Sequence, residues 1–385
     1  MKVVSDPVSE RSRRWAATME GYEGSADAVT VAHRDSCAAI ELVSPGGDPV
    51  SGQLAGREAL LDTTLAVGAT RAHGAGHRQR DEAPDEFRTC FERDRDRILH
   101  SSAFRRLAGK TQVFVFPEDH MRTRLTHALE VAQVATGIAR ALGLNVALTE
   151  AIALGHDCGH GPGGHASEEA LDPFVEGGFD HATWGADVSL VRLNLCVETL
   201  DGIRNHSWSR PAPGTPEGEV VSWADRIAYV CHDFEDAVAA GIVGAPDLPD
   251  MVRHRCGERR GEQLGAFIKA MIRTVTASGV IGMDAYHAEA LAEFRAFDYE
   301  AIYLLGPSRQ QASAVVGLLR ALVEYFADHP ELIPDVAERG GVDDPAHALH
   351  ESVAYVAGMT DRYACRSAVT LLGWPIDQLP KGIDR

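Results

Sequence analysis

One His–Asp pair constrains this chain more than any other feature, because it ends an apolar helical run and has partners elsewhere. His156 and Asp157 lie in the segment AIALGHDCGHGPGGHASE, residues 151–168. His127 opens an earlier apolar helical run, and Asp225 lies inside a later one. Two imidazoles and two carboxylates without a thiolate suit a hydrolytic Mg²⁺, Mn²⁺, Fe or Zn²⁺ site that keeps positions open for water and substrate. The sequence therefore predicts three helices that converge on one metal ion.

The alternative for each of these residues is a purely structural role. A single histidine is more often satisfied or exposed than a ligand, and the chain contains 17 histidines. An acid on an apolar helix needs a partner because burying an unpaired charge is costly. For Asp225 that partner is either a metal ion or an arginine. The ordered set of four residues favours the metal.

The composition is typical of a globular protein. The 385 residues can bury a sizeable core, and hydrophobic and charged residues make up 45% and 24% of the chain. No apolar run approaches the roughly 20 residues of a membrane span, and the amino terminus lacks the apolar segment of a signal peptide. Seven cysteines without a Cys-x-x-Cys pair favour a reducing compartment. We therefore expect a cytoplasmic protein.

Charge is distributed unevenly along the chain. The net charge of −19 argues against a general nucleic-acid coat, yet between Arg88 and Arg124 nine basic residues stand against five acidic ones. One interpretation is a solvated helix of ion pairs, which the alternating segment 92–97 supports. The other is an anion site beside the metal. Arg124 is its best candidate, since phosphate recognition needs only a few positioned cations.

Two regions differ in pattern. Segments 43–52 and 71–84 are turn-rich or polar and aperiodic, which is typical of loops or linkers, while 57–65 has the pattern of a short amphipathic helix. We expect residues 1–84 to form an N-terminal extension, partly loop or disordered. Residues 85–385 are expected to form a catalytic domain that includes a C-terminal helical part.

Beyond residue 84 the pattern is helical. Apolar residues recur close to every 3.6 positions over 128–142, Gly143 is placed to end that helix, and Asn145 to cap the next. The only strand candidate is Thr111–Phe116, with irregular extended chain as the alternative. Without βαβ alternation, the predicted fold class is mostly α with few or no strands. Further helices are predicted over 220–240, 264–277, 284–297, 308–328 and 346–357.

Several sequence blocks follow one another in the order of a known enzyme family. They are FERDRDRILHSSAFRRLAGKTQVF (91–114), RTRLTHALEVAQ (122–133), the His–Asp segment and WADRIAY (223–229). Together they resemble the HD-domain phosphohydrolases of the deoxyguanosinetriphosphate triphosphohydrolase-like branch, strongly over about residues 85 to 330 and weakly beyond. The resemblance implies a helical HD architecture, a divalent metal ion (Mg, Mn or another transition metal) and a deoxynucleoside triphosphate substrate. It also implies a homo-oligomer; it indicates neither a membrane nor a nucleic acid as partner.

The resemblance also assigns catalytic roles. His165 and Glu168, one helical turn apart, match a dyad in which the carboxylate fixes the imidazole tautomer for acid–base work. His181 matches a further histidine near the reacting phosphate. The alternatives are a helix-capping role for Glu168 and a surface-loop position for His181.

Substrate-binding residues are expected on the same helices. Arg124 is three residues before His127 and shares its face, so it is placed to hold a phosphate. On the third helix one stripe carries Tyr229 and Asp233, with Arg226 at its edge. Arg226 and Tyr229 are expected to hold phosphates, and Asp233 is expected to accept from the sugar 3′-hydroxyl. The expected substrate-binding set is Arg124, His160, Arg226, Tyr229 and Asp233.

Departures from the family pattern affect substrate preference more than chemistry. Gly163 and Gly164 stand where many relatives have an aromatic residue, Ala108 where some have a polar one, and Cys158 is interpreted as packing. The predicted function is metal-dependent hydrolysis of a deoxynucleoside triphosphate to the deoxynucleoside and inorganic triphosphate. The alternatives are an HD-type phosphatase or nucleotidase for another phosphoester, or a nucleotide-sensing protein that retains the metal site.

Overall fold

The computed structural model describes residues 9–17, 22–23, 30–31, 53–116, 120–342 and 344–381. The turn-rich segment 43–52 lies outside these residues. The prediction of a mostly α fold is confirmed, because helices form nearly all of the regular structure described. The two short strands, β1 (Tyr22–Glu23) and β2 (Thr30–Val31), form an antiparallel pair.

The α-helices of the described residues are α1 (Glu10–Ala17), α2 (Leu54–Thr64), α3 (Cys90–His100), α4 (Ser102–Arg106), α5 (Arg124–Leu142), α6 (Val146–Gly155), α7 (His165–Leu171), α8 (His181–Trp184), α9 (Val197–Asn205), α10 (Pro216–Ala239), α11 (Asp250–Cys256), α12 (Arg260–Ser278), α13 (Ala285–Asp298), α14 (Gly306–Asp328), α15 (Pro334–Glu338), α16 (Pro345–Ala357) and α17 (Asp361–Leu372). Two π-helical turns follow α8 and α13, at Gly185–Ser189 and Tyr299–Tyr303. The predicted helices are present, with ends that differ from the prediction by at most four residues. Among the described residues, no helix is long and apolar enough to cross a membrane.

The chain divides into two compact units, residues 1–56 and 57–385. The first contains α1 and the β1–β2 pair. In the second unit, hydrogen bonds and an ion pair join the irregular segment before α3 to the helices. Thr70 donates two hydrogen bonds to the buried Glu217, and Arg78 forms an ion pair with the buried Asp94. The boundary thus falls near residue 56 instead of residue 84, because the polar groups of this loop have partners in the helical unit.

One apolar core holds the helices that carry the His and Asp residues. Helices α3, α5, α6, α9 and α10 pack together around it, and α11–α13 extend it. The α5–α6 turn is built as the sequence predicts. Gly143 adopts a left-handed conformation with φ of 68°, and the Asn145 side chain accepts a hydrogen bond from the backbone N–H of Leu148. These local caps fix where α5 ends and where α6, the helix that leads to His156 and Asp157, begins.

A second apolar cluster joins α14, α16 and α17 to α7. Asp361, at the start of α17, links these helices to two segments near the His–Asp pair. Its carboxylate accepts from the backbone N–H and the hydroxyl of Thr111, at 2.9 and 2.6 Å, and from the N–H of Gly163 at 2.8 Å. The strand candidate Thr111–Phe116 is wrong, since only Thr111 forms a single bridge, to Thr123. Its backbone is held by a side chain instead of a neighbouring strand.

Candidate metal centre and substrate cavity

Three helices bring the four predicted metal ligands together. His127 lies on α5, His156 and Asp157 directly follow α6, and Asp225 lies on α10. The Nε2 atom of His127 is 3.1 Å from Oδ1 of Asp225. The Nε2 atom of His156 is 3.7 Å from the same oxygen and 3.5 Å from Oδ1 of Asp157. Separations of this size are those of neighbouring ligands around one ion with bonds of about 2.0–2.2 Å.

The orientation of His156 is suited to a metal. Its Nδ1–H donates to the carbonyl of Ala153 at 2.6 Å, which fixes the tautomer and directs Nε2 into the cluster. Within the described residues, this buried Nε2 has no hydrogen-bond partner. Because an unsatisfied buried polar atom costs about 1–3 kcal/mol, a cation at this point would stabilise the fold. The donor set therefore fits a divalent ion.

The electrostatics keep the two carboxylates ionised. Burial raises the pKa of Asp157, but the Arg124 guanidinium and the surrounding imidazoles outweigh it and hold the pKa well below its usual range. For Asp225, burial also raises the pKa, but the hydrogen bond from His127 and the charges of the surrounding imidazoles together outweigh it, so the pKa is again lowered. Both side chains thus offer the negative charge that a divalent cation requires.

Four more histidines surround the metal ligands. His160 Nε2 lies 3.3 Å from Oδ1 of Asp157, and its ring stacks on that of His181 with centroids 3.7 Å apart. The His165 ring lies 5.3 Å from that of His160. His206 was not identified from the sequence. It is buried, and its Nε2 lies 3.2 Å from Nε2 of His181.

The sequence contains one signal that could have identified His206. Like His156, it directly follows a helix, and its Nδ1–H donates to the carbonyl three residues earlier, that of Ile203, at 2.8 Å. Its own carbonyl accepts from the Ser222 hydroxyl on α10. Both histidines are therefore oriented by the end of the helix that precedes them.

The predicted dyad is paired differently in the structure. Glu168 accepts from Nδ1–H of His181 at 2.5 Å and from its backbone N–H at 3.2 Å. His165 makes no hydrogen bond to Glu168 in the described part of the chain, and it lines the cavity instead. The reason is tertiary, because α8 packs its first residue against Glu168. Pairing His165 with Glu168 was therefore wrong, although all three side chains lie in one site.

The pKa values of His181 and His165 consequently shift in opposite directions. Burial lowers the pKa of His181, but the hydrogen bond and charge of Glu168 outweigh it, so the pKa is raised. The His165 side chain is exposed to the cavity, but desolvation by the surrounding cavity walls, reinforced by Arg124, lowers its pKa to about 4. The site therefore holds the His165 imidazole, neutral at neutral pH, together with the His181 imidazole, whose pKa is raised.

A cavity of about 930 Å³ opens beside the metal ligands. That volume is at the upper end of the usual range for small-molecule sites, which is about 300–1,000 Å³. Within the described residues, every predicted catalytic and substrate-binding residue lines it. These are His165, Glu168 and His181, together with Arg124, His160, Arg226, Tyr229 and Asp233.

Arg124 joins the metal ligands to the cavity. Its Nη1 donates to Oδ2 of Asp157 at 2.8 Å, whereas its Nε and Nη2 are buried without a hydrogen-bond partner in the described residues. Gly164 makes this position possible. It adopts φ of 63°, and a Cβ there would lie 3.0 Å from Nη2 of Arg124 and 2.9 Å from the carbonyl of Thr111. The glycine leaves room for a guanidinium with two donors still available for an anion.

The other basic residues before α5 are mostly engaged in ion pairs. Arg93 and Arg97 both bind Glu82, and Arg88 binds Asp85 and Asp96. For most of this segment, therefore, the solvated ion-pair interpretation holds. Arg122 follows the same pattern, since it contacts Glu130, Glu235 and Asp236.

The far wall of the cavity contains residues that the sequence analysis missed. Arg295 on α13 donates from Nε to the Tyr229 hydroxyl at 2.7 Å. Tyr303 donates its hydroxyl to Oδ2 of Asp233. Burial raises the pKa of Asp233 to about 7. Gln112 and Trp208 also line the cavity. Like Arg295 and Tyr303, they reach the site only through tertiary packing.

Two family models match parts of this chain. The HD domain family model matches residues 124–230, and that of the phosphohydrolase-associated domain matches residues 281–369. A phosphohydrolase structure from Bacteroides thetaiotaomicron aligns with a TM-score of 0.43 and 16% identity, covering 71% of this chain and 68% of that one.

Relatives cover most of the chain. A deoxyguanosinetriphosphate triphosphohydrolase-like protein of Caldanaerobacter subterraneus subsp. tengcongensis is 41% identical over 308 residues, which are 78% of this chain and 90% of the relative. A protein of the same description from Clostridium perfringens (strain 13 / Type A) is 42% identical over 306 residues, 74% of this chain and 87% of the relative. These matches confirm the resemblance seen in the sequence: the chain belongs to the deoxyguanosinetriphosphate triphosphohydrolase-like family of HD-domain phosphohydrolases.

Proposed function

We propose that this protein hydrolyses deoxynucleoside triphosphates at the α-phosphorus and releases a deoxynucleoside and inorganic triphosphate. One observation carries the proposal. A single cavity joins the predicted metal ligands His127, Asp157 and Asp225 to Arg124 and Arg226, whose guanidinium groups keep buried donors without a partner in the described residues. The names of the relatives indicate a nucleoside triphosphate as substrate. Arg124 and Arg226 line the same cavity, which supports the binding of a chain of phosphates.

The phosphate chain is assigned to three side chains. Arg124 offers Nε and Nη2, and Arg226 has no ion pair with a carboxylate in the described part of the chain. The Tyr229 hydroxyl accepts from Arg295 and can donate its own proton to a phosphate oxygen. Asp233 is assigned to the sugar, with its unpartnered Oδ1 as the acceptor for a hydroxyl. A monophosphate would leave most of these donors without a partner.

Proton transfer is assigned to the histidines. A divalent ion bound at this site would polarise phosphate oxygen and activate water. His165, neutral at physiological pH, is placed to accept a proton from the attacking water. His181, whose pKa Glu168 raises, is assigned to donate a proton to the departing 5′-oxygen. The water thus supplies the new P–O bond, and the 5′-oxygen leaves as a hydroxyl. General acid–base groups of this kind contribute about 10²–10⁴-fold to turnover.

Product analysis tests the proposal. The purified protein is incubated with each deoxy- and ribonucleoside triphosphate and Mg²⁺, Mn²⁺ or Co²⁺, and the products are separated by chromatography. We expect equal amounts of deoxynucleoside and inorganic triphosphate. A nucleoside monophosphate with pyrophosphate would refute cleavage at the 5′-oxygen, and release of orthophosphate alone would favour a phosphatase. Binding without any turnover would favour a nucleotide sensor.

A further inference from the structure

The connection between α9 and α10, residues 206–215, forms part of the cavity wall. Ser207, Trp208 and Ser209 line the cavity. The connection is held at both ends: the Ser222 hydroxyl donates to the carbonyl of residue 206 at 2.6 Å, and Gly214 N–H donates to Asp201. Trp208 is 49% exposed, and its ring packs edge-on against that of Trp223 with centroids 5.0 Å apart. A large aromatic side chain is therefore presented to the cavity from a fixed loop.

Trp208 contacts the guanidinium of Arg226. The Cζ atom of Arg226 lies 4.8 Å from the centre of the Trp208 ring and 5.7 Å from that of Tyr229. Both distances fall within the 6 Å range of a cation–π interaction. In the described residues Arg226 forms no ion pair, and its Nε is buried without a hydrogen-bond partner. The guanidinium is thus held by aromatic rings, and its Nε remains available as a donor.

The identity of the holding group matters for an anion site. A carboxylate would fix the arginine equally well, but it would neutralise the charge and compete with phosphate for the same donors. An aromatic ring attracts the cation through its quadrupole and leaves the full positive charge and the fork of N–H groups free. Arg122, which contacts three acids, shows the opposite arrangement elsewhere in this protein.

We propose that Trp208 is a positioning residue that holds Arg226 for the phosphate chain and so sets the affinity of the site for triphosphate. The inference rests on the proposed function, in which Arg226 binds phosphate. Trp208 acts through Arg226 and takes no part in proton transfer. Its loss should therefore raise KM and leave kcat near the wild-type value, because it removes binding that substrate and transition state share.

Inorganic tripolyphosphate is the probe, measured by calorimetry with the metal-loaded protein. Trp208→Ala should weaken its binding about 2- to 30-fold, the range of a partly exposed cation–π contact. Trp208→Phe keeps a π face and should stay within about 2-fold of wild type. Tyr286→Ala is the matched control. Arg255 lies 4.3 Å over that ring in an equally exposed pair that does not line the cavity, so its removal should change nothing.

Two results would overturn the inference. One is wild-type tripolyphosphate affinity in Trp208→Ala; the other is equal weakening in Trp208→Ala and Trp208→Phe, which would indicate a loss of shape instead of the π face. Thermal melting of each variant checks that the fold is intact. Failure of the proposed function is a separate result, since it is read from the products of the wild type. The binding measurement reports on the Trp208–Arg226 pair in either case.

Discussion

Replacing Glu168 by glutamine tests the proton-transfer assignment most directly. The amide keeps the shape of the carboxylate but removes the charge that accepts from Nδ1–H of His181 at 2.5 Å. A hydrogen bond to a charged group contributes about 1.5–3 kcal/mol, which corresponds to roughly 10- to 150-fold. We therefore expect kcat/KM to fall by about that factor in Glu168→Gln, with the metal content unchanged.

The same substitution should change the pH profile. Glu168 raises the pKa of His181 against the opposing effect of burial. Without its charge, burial dominates and the pKa falls, so less of the imidazole is protonated at any given pH. If protonated His181 is the proton donor, activity requires a pH below that pKa. The alkaline limb of kcat/KM should therefore move to lower pH in Glu168→Gln.

The neighbouring residue provides the control. The Glu169 side chain is exposed, and the backbone carbonyl of Glu169 accepts a hydrogen bond from Arg320. Glu169→Gln should behave like wild type in a chromatographic assay of deoxynucleoside release, run across about pH 5–9 to bracket histidine titration. A crippled Glu169→Gln beside an active Glu168→Gln would refute the assignment. So would a loss of activity in Glu168→Gln without movement of the alkaline limb.

Three further outcomes are expected. Asp225→Asn should lower the bound metal measured by elemental analysis, whereas Asp236→Asn on the same helix should not, because Asp236 pairs with Arg122. Gly159→Ala should lower the free energy of unfolding by about 1–3 kcal/mol or more in thermal melting, because the added Cβ would lie 1.9 Å from the backbone carbonyl oxygen of His181. Gly137→Ala should not, because the nearest atom to its added Cβ would be 4.0 Å away. Burial raises the pKa of Asp233 from 3.8 to about 7. Because the folded state therefore binds this proton more tightly than the unfolded chain, the free energy of unfolding should fall as the pH rises from about 4 to 7. In urea unfolding, Asp233→Asn should remove this slope of at most about 1.4 kcal/mol per pH unit.

The metal ligands illustrate what local sequence can predict. The 3.6-residue period places His127 on an α5 face, and the Gly143 and Asn145 signals fix the α5–α6 turn. Since α6 ends just before His156, the adjacent His–Asp pair has a defined position on the chain. Each of these features depends on residues within about one or two helical turns of one another. The sequence therefore determined the helices and the identity of the side chains gathered at the site.

Other parts of the site depend on how distant segments pack. Glu168 lies three residues from His165 but binds His181, because the first residue of α8 lies against the Glu168 carboxylate. His206 and Arg295 reach the cavity from α9 and α13, which no local pattern connects to the His–Asp segment. A hydrogen bond forms only within about 3 Å, and separation along the chain does not fix that distance once several helices share a core. The sequence by itself determined the helical fold and the candidate metal ligands; only the tertiary structure decided which acid pairs with which histidine, and which arginines face the cavity.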